Sequence, residues 1–157
     1  LRLRILAIGT GMPQWVAEGF ATYAQRMRPP LSVELVEIPA LARRRGSDLE
    51  RIRRDEGRRM LASMGDGDRV IALDVLGRSW STEGLADHLR HWMQEARDTC
   101  FLIGGPEGLS EECLARADQR WSLSALTFPH PLVRVILAEQ LYRAWTILQG
   151  HPYHRSE

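Results

Sequence analysis

The sequence of 157 residues contains no lysine; all 21 of its basic residues are arginine. That absence excludes every mechanism built on a side-chain amine: a Schiff base, a pyridoxal anchor, a phosphate loop ending in Gly-Lys-Ser/Thr. Asparagine is missing too. Cysteine is scarce. Cys100 and Cys113 form no Cys-x-x-Cys pair and sit in apolar or helical surroundings, so they read as buried, inert thiols rather than a disulfide scaffold. No long apolar run exists. The longest aliphatic stretches, such as Val135 to Ala138, fall far short of the ~20 residues needed to cross a bilayer. The opening apolar segment is too short for a signal peptide. These features lead us to expect a protein of the reducing cytoplasm, with no membrane partner. Charge of one sign is also absent: 21 basic against 20 acidic residues leave a net +1, which by itself announces no polyanion.

What is present is globular. Hydrophobic residues make up 44% and charged residues 26%, and a chain this long buries roughly two-thirds of its unfolded surface on folding. One domain over 1–157 is expected. Apolar runs at 1–8, 31–38, 70–75, 100–103 and 121–126 read as strands. Helical spacing marks 13–27, a segment from Ser47 or Asp48 to about Met64, the stretch around Leu85 to Met93, a short piece capped by Ser110, and 131–149. Strand and helix alternate five times, which predicts an α/β fold with a mostly parallel sheet covered on both faces. The pattern alone suggests a flavodoxin-like or Rossmann-like arrangement with its ligand at the carboxyl ends of the strands. The last helix is apolar nearly all round, so one of its faces is expected to meet a second subunit.

Several segments carry possible chemistry. Gly9-Thr10-Gly11 follows the first strand and half-matches a dinucleotide fingerprint, with Glu34 and Glu37 at ribose-contact distance in sequence; Gln14 and Pro13 break the match. The 104–108 run, Gly-Gly-Pro-Glu-Gly, leaves a buried strand without phosphate-cradle spacing and suits an adenosine or amino-acid ligand held by backbone groups. His130 and Arg134 lie one helical turn apart, and Glu139 and Arg143 are an i,i+4 pair. His88 and His91 share a helix face but have no third metal ligand, so no metal site is expected. Between Arg43 and Arg59 eight arginines face four acids, a candidate surface for RNA phosphates. The tail His151-Pro-Tyr-His-Arg offers Tyr153 for stacking on a base, and His154 and Arg155 for phosphate or an imide edge.

The blocks GTGMPQWV at 9–16, LD at 73–74, LIGGPEGLS at 102–110, WSLSALTFPHPLVRVILAEQLYRAW at 121–145 and HPYHR at 151–155 together resemble the ribosomal RNA large-subunit methyltransferase H family, small SPOUT-class enzymes, over essentially the whole chain. The resemblance implies methylation of N3 of a pseudouridine in large-subunit (23S) ribosomal RNA on the assembled ribosome. It implies a SPOUT-type α/β sandwich of five or six strands with a carboxyl-terminal trefoil knot, against the usual prior for unthreaded chains. It also implies a homodimer that binds S-adenosylmethionine without a metal. Carried onto this sequence, the cofactor contacts fall at Leu73, at Gly104 with Gly105, and along Leu123, Ser124, Ala125, Leu126, Thr127 and Phe128. The partner's tail would reach toward the target base, making Tyr153, His154 and Arg155 substrate-binding residues.

The chemistry expected is in-line transfer of a sulfonium methyl to a ring nitrogen whose proton must be accepted. His130 and His154 are the candidate acceptors; Arg134, Arg143 and Arg155 are the candidate positive partners. Two other readings stay open on the residues alone: a Rossmann-type nucleotide-dependent enzyme using the Gly9 turn, and a non-enzymatic ribosome-binding factor.

Overall fold

A computed structural model describes residues 1–155, and the last two positions of the expected polar tail, 156 and 157, lie outside the described residues. The elements in chain order are β1 (Arg2–Ile8), α1 (Gln14–Ala24), β2 (Ser32–Ile38), α2 (Leu49–Ala62), β3 (Arg69–Ser79), α3 (Thr82–Glu95), β4 (Thr99–Ile103), α4 (Glu111–Arg116), β5 (Gln119–Ser122), α5 (His130–Leu148) and a closing 3-10 turn, Pro152–Arg155. Three helix starts follow side-chain caps: Asp48 accepts the amide of Arg51, Ser81 that of Gly84, and Ser110 that of Cys113.

The five strands form one sheet in the order β2-β1-β4-β3-β5, and every pairing is parallel. This corrects the flavodoxin-like or Rossmann-like reading, because neither order places β4 between β1 and β3. The order is set by which distant strands pair, and alternation along the chain does not encode that. Side chains alternate across the sheet as a period of two requires. Leu3, Ile5, Ala7 and Phe101 pack with α1, α3 and α5, while Leu6, Ile8, Val70 and Leu102 pack with α2 and α4. Both faces of β4 are therefore dry, as its unbroken apolar sequence demands.

Two strands differ most from expectation. β3 continues past Val75 to Ser79, and β5 begins at Gln119 and stops at Ser122. The two remain paired through a register shift between Leu73 and Arg78, so residues 74–77 swing out of the ladder. Beyond β5 the chain turns back. β5 is an edge strand, yet α5 packs against α1 and α3 and touches β4. Residues 123–129 therefore cross the carboxyl ends of β3 and β4, where the 74–77 and 104–109 segments emerge.

Candidate functional site

The three segments enclose a cleft of about 540 Å³ at the carboxyl ends of β3 and β4. That is the size of a small-molecule site. Of the residues singled out in the sequence, Leu73, Gly104, Gly105, Leu123, Ser124 and Leu126 line it, as do Thr127, Phe128 and His130. Ala125 lies in the same loop but is exposed and outside the lining. Sequence reasoning missed Asp74, Arg53, Arg120 and Trp121, which also border the cleft. Asp74 and Trp121 entered the sequence reading only within the blocks that carry the family resemblance, Trp121 also as a strand residue, and Arg53 only as one of a charged run.

The loop after β4 is shaped by close backbone approach. A Cβ at position 104 would stand 2.5 Å from the carbonyl carbon of Gly108, so only glycine lets the loop fold back on itself. The amide of Gly108 donates to the carbonyl of Gly105 at 2.9 Å, and Gly108 takes φ +80° to complete the turn. Across the cleft, the loop after β5 is braced by Ser122, whose hydroxyl donates to the carbonyl of Ser124, and by Ser124, whose hydroxyl accepts the amide of Leu126. Leu126, Val75 and Leu76 remain exposed at the rim, Leu76 by 88%.

His130 opens α5 and borders the cleft. Its Nδ1 is buried without a hydrogen-bond partner among the described residues. Burial, then the charges of Arg134 and Arg43, push its acidity toward the neutral ring, below the ordinary value of 6.5. Arg134 does not reach the cleft. It is wholly buried, its Nη1 donates to Glu37 at 2.6 Å, and its Nη2 donates to the carbonyls of Ile8 and Gly9 at 3.3 and 2.8 Å. The guanidinium thereby ties α5 to the end of β1. The same contacts remove Glu37 from the ribose role the dinucleotide reading gave it, and Glu34 pairs with Arg4. The amide of Gly9 is donated to the carbonyl of Ile38 at 2.7 Å, so the turn does not offer it to a pyrophosphate.

The remaining candidates gather elsewhere. Arg143 pairs with Glu139 at 2.6 Å, and its guanidinium lies 5.0 Å from the centre of the Tyr153 ring. Tyr153 packs edge-on against Tyr142, and its hydroxyl donates to Glu139 at 3.2 Å. Burial and the carboxylate beside it push the phenol up to about 12, so it stays protonated. His154 and Arg155 follow in the 3-10 turn. Glu139 stands nine residues along α5 from His130, about 13 Å at helical rise. None of residues 151–155 lines the cleft of its own chain.

Other groups read more plainly. Cys100 and Cys113 are both buried, and burial lifts the Cys100 thiol to about 12. His88 stacks on Trp80 at 4.0 Å, and His91 hydrogen-bonds the carbonyl of Asp87 through Nδ1. No cluster of three His, Cys, Asp or Glu side chains suited to a metal occurs among the described residues. Among them no helix is long and apolar enough to cross a membrane. Within the arginine-rich segment much charge is met internally: Arg53 by Glu50, Arg51 and Arg58 by Asp55, and Arg43 by Glu56 and Glu107.

Comparison with known proteins matches residues 1–154 to the family model described as "Predicted SPOUT methyltransferase". The chain is 56% identical over 156 residues to the ribosomal RNA large subunit methyltransferase H of Alkalilimnicola ehrlichii, covering 99% of this chain and 100% of that one. It is 53% identical over 155 residues to the protein of the same name from Azotobacter vinelandii, again over 99% and 100% of the two chains. Among solved structures it resembles a probable methylase family protein from Haemophilus influenzae, with TM-score 0.57 and 13% identity over 96% of this chain and 69% of that one. A putative methylase family protein from Neisseria gonorrhoeae gives TM-score 0.52 and 12% identity over 89% and 81%. At those identities the structural likeness speaks for the fold alone.

Proposed function

Since the chain belongs to the SPOUT methyltransferase family, and within it to the ribosomal RNA large subunit methyltransferase H members, we propose that it methylates N3 of a pseudouridine in large-subunit (23S) ribosomal RNA, as a homodimer acting on the assembled ribosome in the cytoplasm. The proposed methyl donor is S-adenosylmethionine. The observation that carries this reading is the convergence of residues 73–76, 104–109 and 123–128 on one cleft of ligand size. The cleft suits that donor: backbone is brought bare to its wall at Gly104, apolar side chains cover much of the rest, and Asp74 and the Ser124 hydroxyl stand at its border. The passage of 123–129 over β3 and β4 is where a trefoil knot would be tied.

When bound, the donor supplies a methyl group already activated by its sulfonium charge, which calls for no metal. The chain's own work is alignment and proton handling. Holding two reactants in register is worth on the order of 7–11 kcal/mol. His130, neutral and bordering the cleft, would take the N3 proton at an imidazole nitrogen. Arg134 would fix the helix end that carries His130, through Glu37 and the β1 carbonyls. His154 remains the second candidate acceptor, and Arg143 and Arg155 the positive partners. In one chain these lie away from the cleft, with Tyr153 tied to Glu139. A second copy that brings its tail to the cleft would complete the site. One flank of α5 supports such pairing, because Leu132 and Ile136, one helical turn apart, are only partly covered within the chain.

The deciding experiment supplies methyl-labelled S-adenosylmethionine with purified ribosomes or with free ribosomal RNA. Label is expected at a pseudouridine N3 with ribosomes and far less with free RNA. No transfer to either would leave a non-enzymatic ribosome-binding factor. Calorimetry against S-adenosylmethionine, NAD and ATP separates the donor from the nucleotide-dependent reading.

A further inference from the structure

We propose that Arg43 is a positioning residue of the methyl-donor cleft, acting through Glu107 to hold the 104–108 loop in its folded-back form. The inference rests on the cleft being the donor's site.

Arg43 lies between β2 and α2, outside every strand and helix. Yet each N–H of its guanidinium finds an acceptor. Nε and Nη2 grip the Glu107 carboxylate at 3.0 and 2.6 Å. Nη1 and Nη2 grip Glu56 on α2, both at 2.9 Å, and Nη1 also donates to the carbonyl of Leu41 at 2.9 Å. Glu56 in turn accepts the amide of Leu41 at 2.9 Å and is only 3% exposed. One planar cation thus joins three segments that are far apart in sequence. Only arginine can do this, since lysine has fewer donors and no fixed fork.

Glu107 sits at the turn of the loop and, with its neighbours, lines the cleft; Arg43 stands outside that lining. The loop's own backbone supplies the Gly105–Gly108 bridge, and the carboxylate supplies an anchor from outside. The fork lies close against the loop: a Cβ at position 105 would stand 3.3 Å from Nη2 of Arg43 and 3.3 Å from Cγ2 of Ile8. Hydrogen bonding from Arg43 holds the Glu107 carboxyl below its usual range, as a tight charge-assisted pair should.

Removing Arg43 outright would strand the buried Glu56 charge and risk unfolding. Glu107→Gln is the cleaner cut, because the Arg43–Glu56 pair survives. The full-length variant is first examined by amide hydrogen exchange without ligand, then by calorimetry with S-adenosylmethionine and by steady-state methyl transfer. Amides of 104–109 should exchange about tenfold faster while those of β1 and β4 stay unchanged. The donor's Kd and KM should rise about tenfold, with kcat at saturation changing much less. Arg43→Lys, which keeps the charge and loses the fork, should reproduce these effects, and the double variant should be no worse than either single one. Unchanged exchange in Glu107→Gln, wild-type behaviour of Arg43→Lys, or additive losses in the double variant would each overturn the proposal. Failure of the wild-type protein to bind the donor would instead sink the reading of the cleft, while the exchange measurement would still decide whether Arg43 pins the loop.

Discussion

His130 and Arg134 are neighbours on one helix turn with opposite fates. His130 borders the cleft and is kept neutral by burial and by two nearby arginines. A neutral imidazole is the form that accepts a proton. The single-turnover rate should therefore rise with pH to an inflection below 6.5 and stay level above it. His130→Gln should lower that rate by on the order of 10²-fold, leave donor affinity nearly intact and remove the inflection. An unchanged pH profile in the variant would take His130 out of the reaction. The same burial carries a stability consequence. The unfolded chain binds this proton more tightly than the native one, so stability contributed by the neutral ring falls away as pH drops through 6.5 and below. Arg134 belongs to the frame. Glu37→Ala would leave a guanidinium with no exposed surface facing only carbonyls, and should destabilise the fold by about 3 kcal/mol in urea titration. A loss within 0.5 kcal/mol would show that the Ile8 and Gly9 carbonyls suffice.

The loops show how far composition can be read. Gly104 and Gly105 were legible as a place for close backbone approach, and the structure gives the reason in the 2.5 Å that a Cβ at 104 would leave to Gly108. Gly104→Ala must push that turn open. It should weaken donor binding tenfold or more by calorimetry, while the thermal midpoint shifts by only a few degrees; equal affinity would mean the turn does not shape the cleft. Strand ends were less legible. Trp121 to Leu126 alternates as a strand does, but pairing stops at Ser122, and Leu123 and Leu126 face the cleft instead. An apolar side chain that lines a cleft has the same hydropathy as one that enters a core. The reverse holds in β3, where the expected strand ends at Val75 yet Arg78 and Ser79 continue it because β5 offers them partners across the register shift. Arg43 taught a similar lesson. Read along the chain it was one cation of a phosphate-binding run, and only folding brings Glu56 and Glu107 around it.

Across the molecule as a whole, the number of strands and their parallel direction followed from alternation, while the order β2-β1-β4-β3-β5 did not, since it depends on contacts between residues far apart in sequence. That order sends the chain from the edge strand β5 back across two strand ends into α5, and so gathers the cleft. It also leaves the tail away from the cleft of its own chain. Tyr153 is held to Glu139, about 13 Å along α5 from His130. If a twin chain supplies the tail, two defective subunits should repair each other. One carries His130→Ala and an intact tail; the other is truncated after Gly150 and keeps its cleft. Each alone should be nearly inactive. Mixed after denaturation and refolding in equal amounts, half of the dimers should pair one of each, and each such dimer should hold a single working site, restoring about a quarter of wild-type turnover. No recovery, with mixed dimers demonstrated by mass, would mean that the tail serves the cleft of its own chain. The contacts to Glu139 and Tyr142 would then have to break before each turnover, so weakening them with Glu139→Gln should raise the rate rather than lower it.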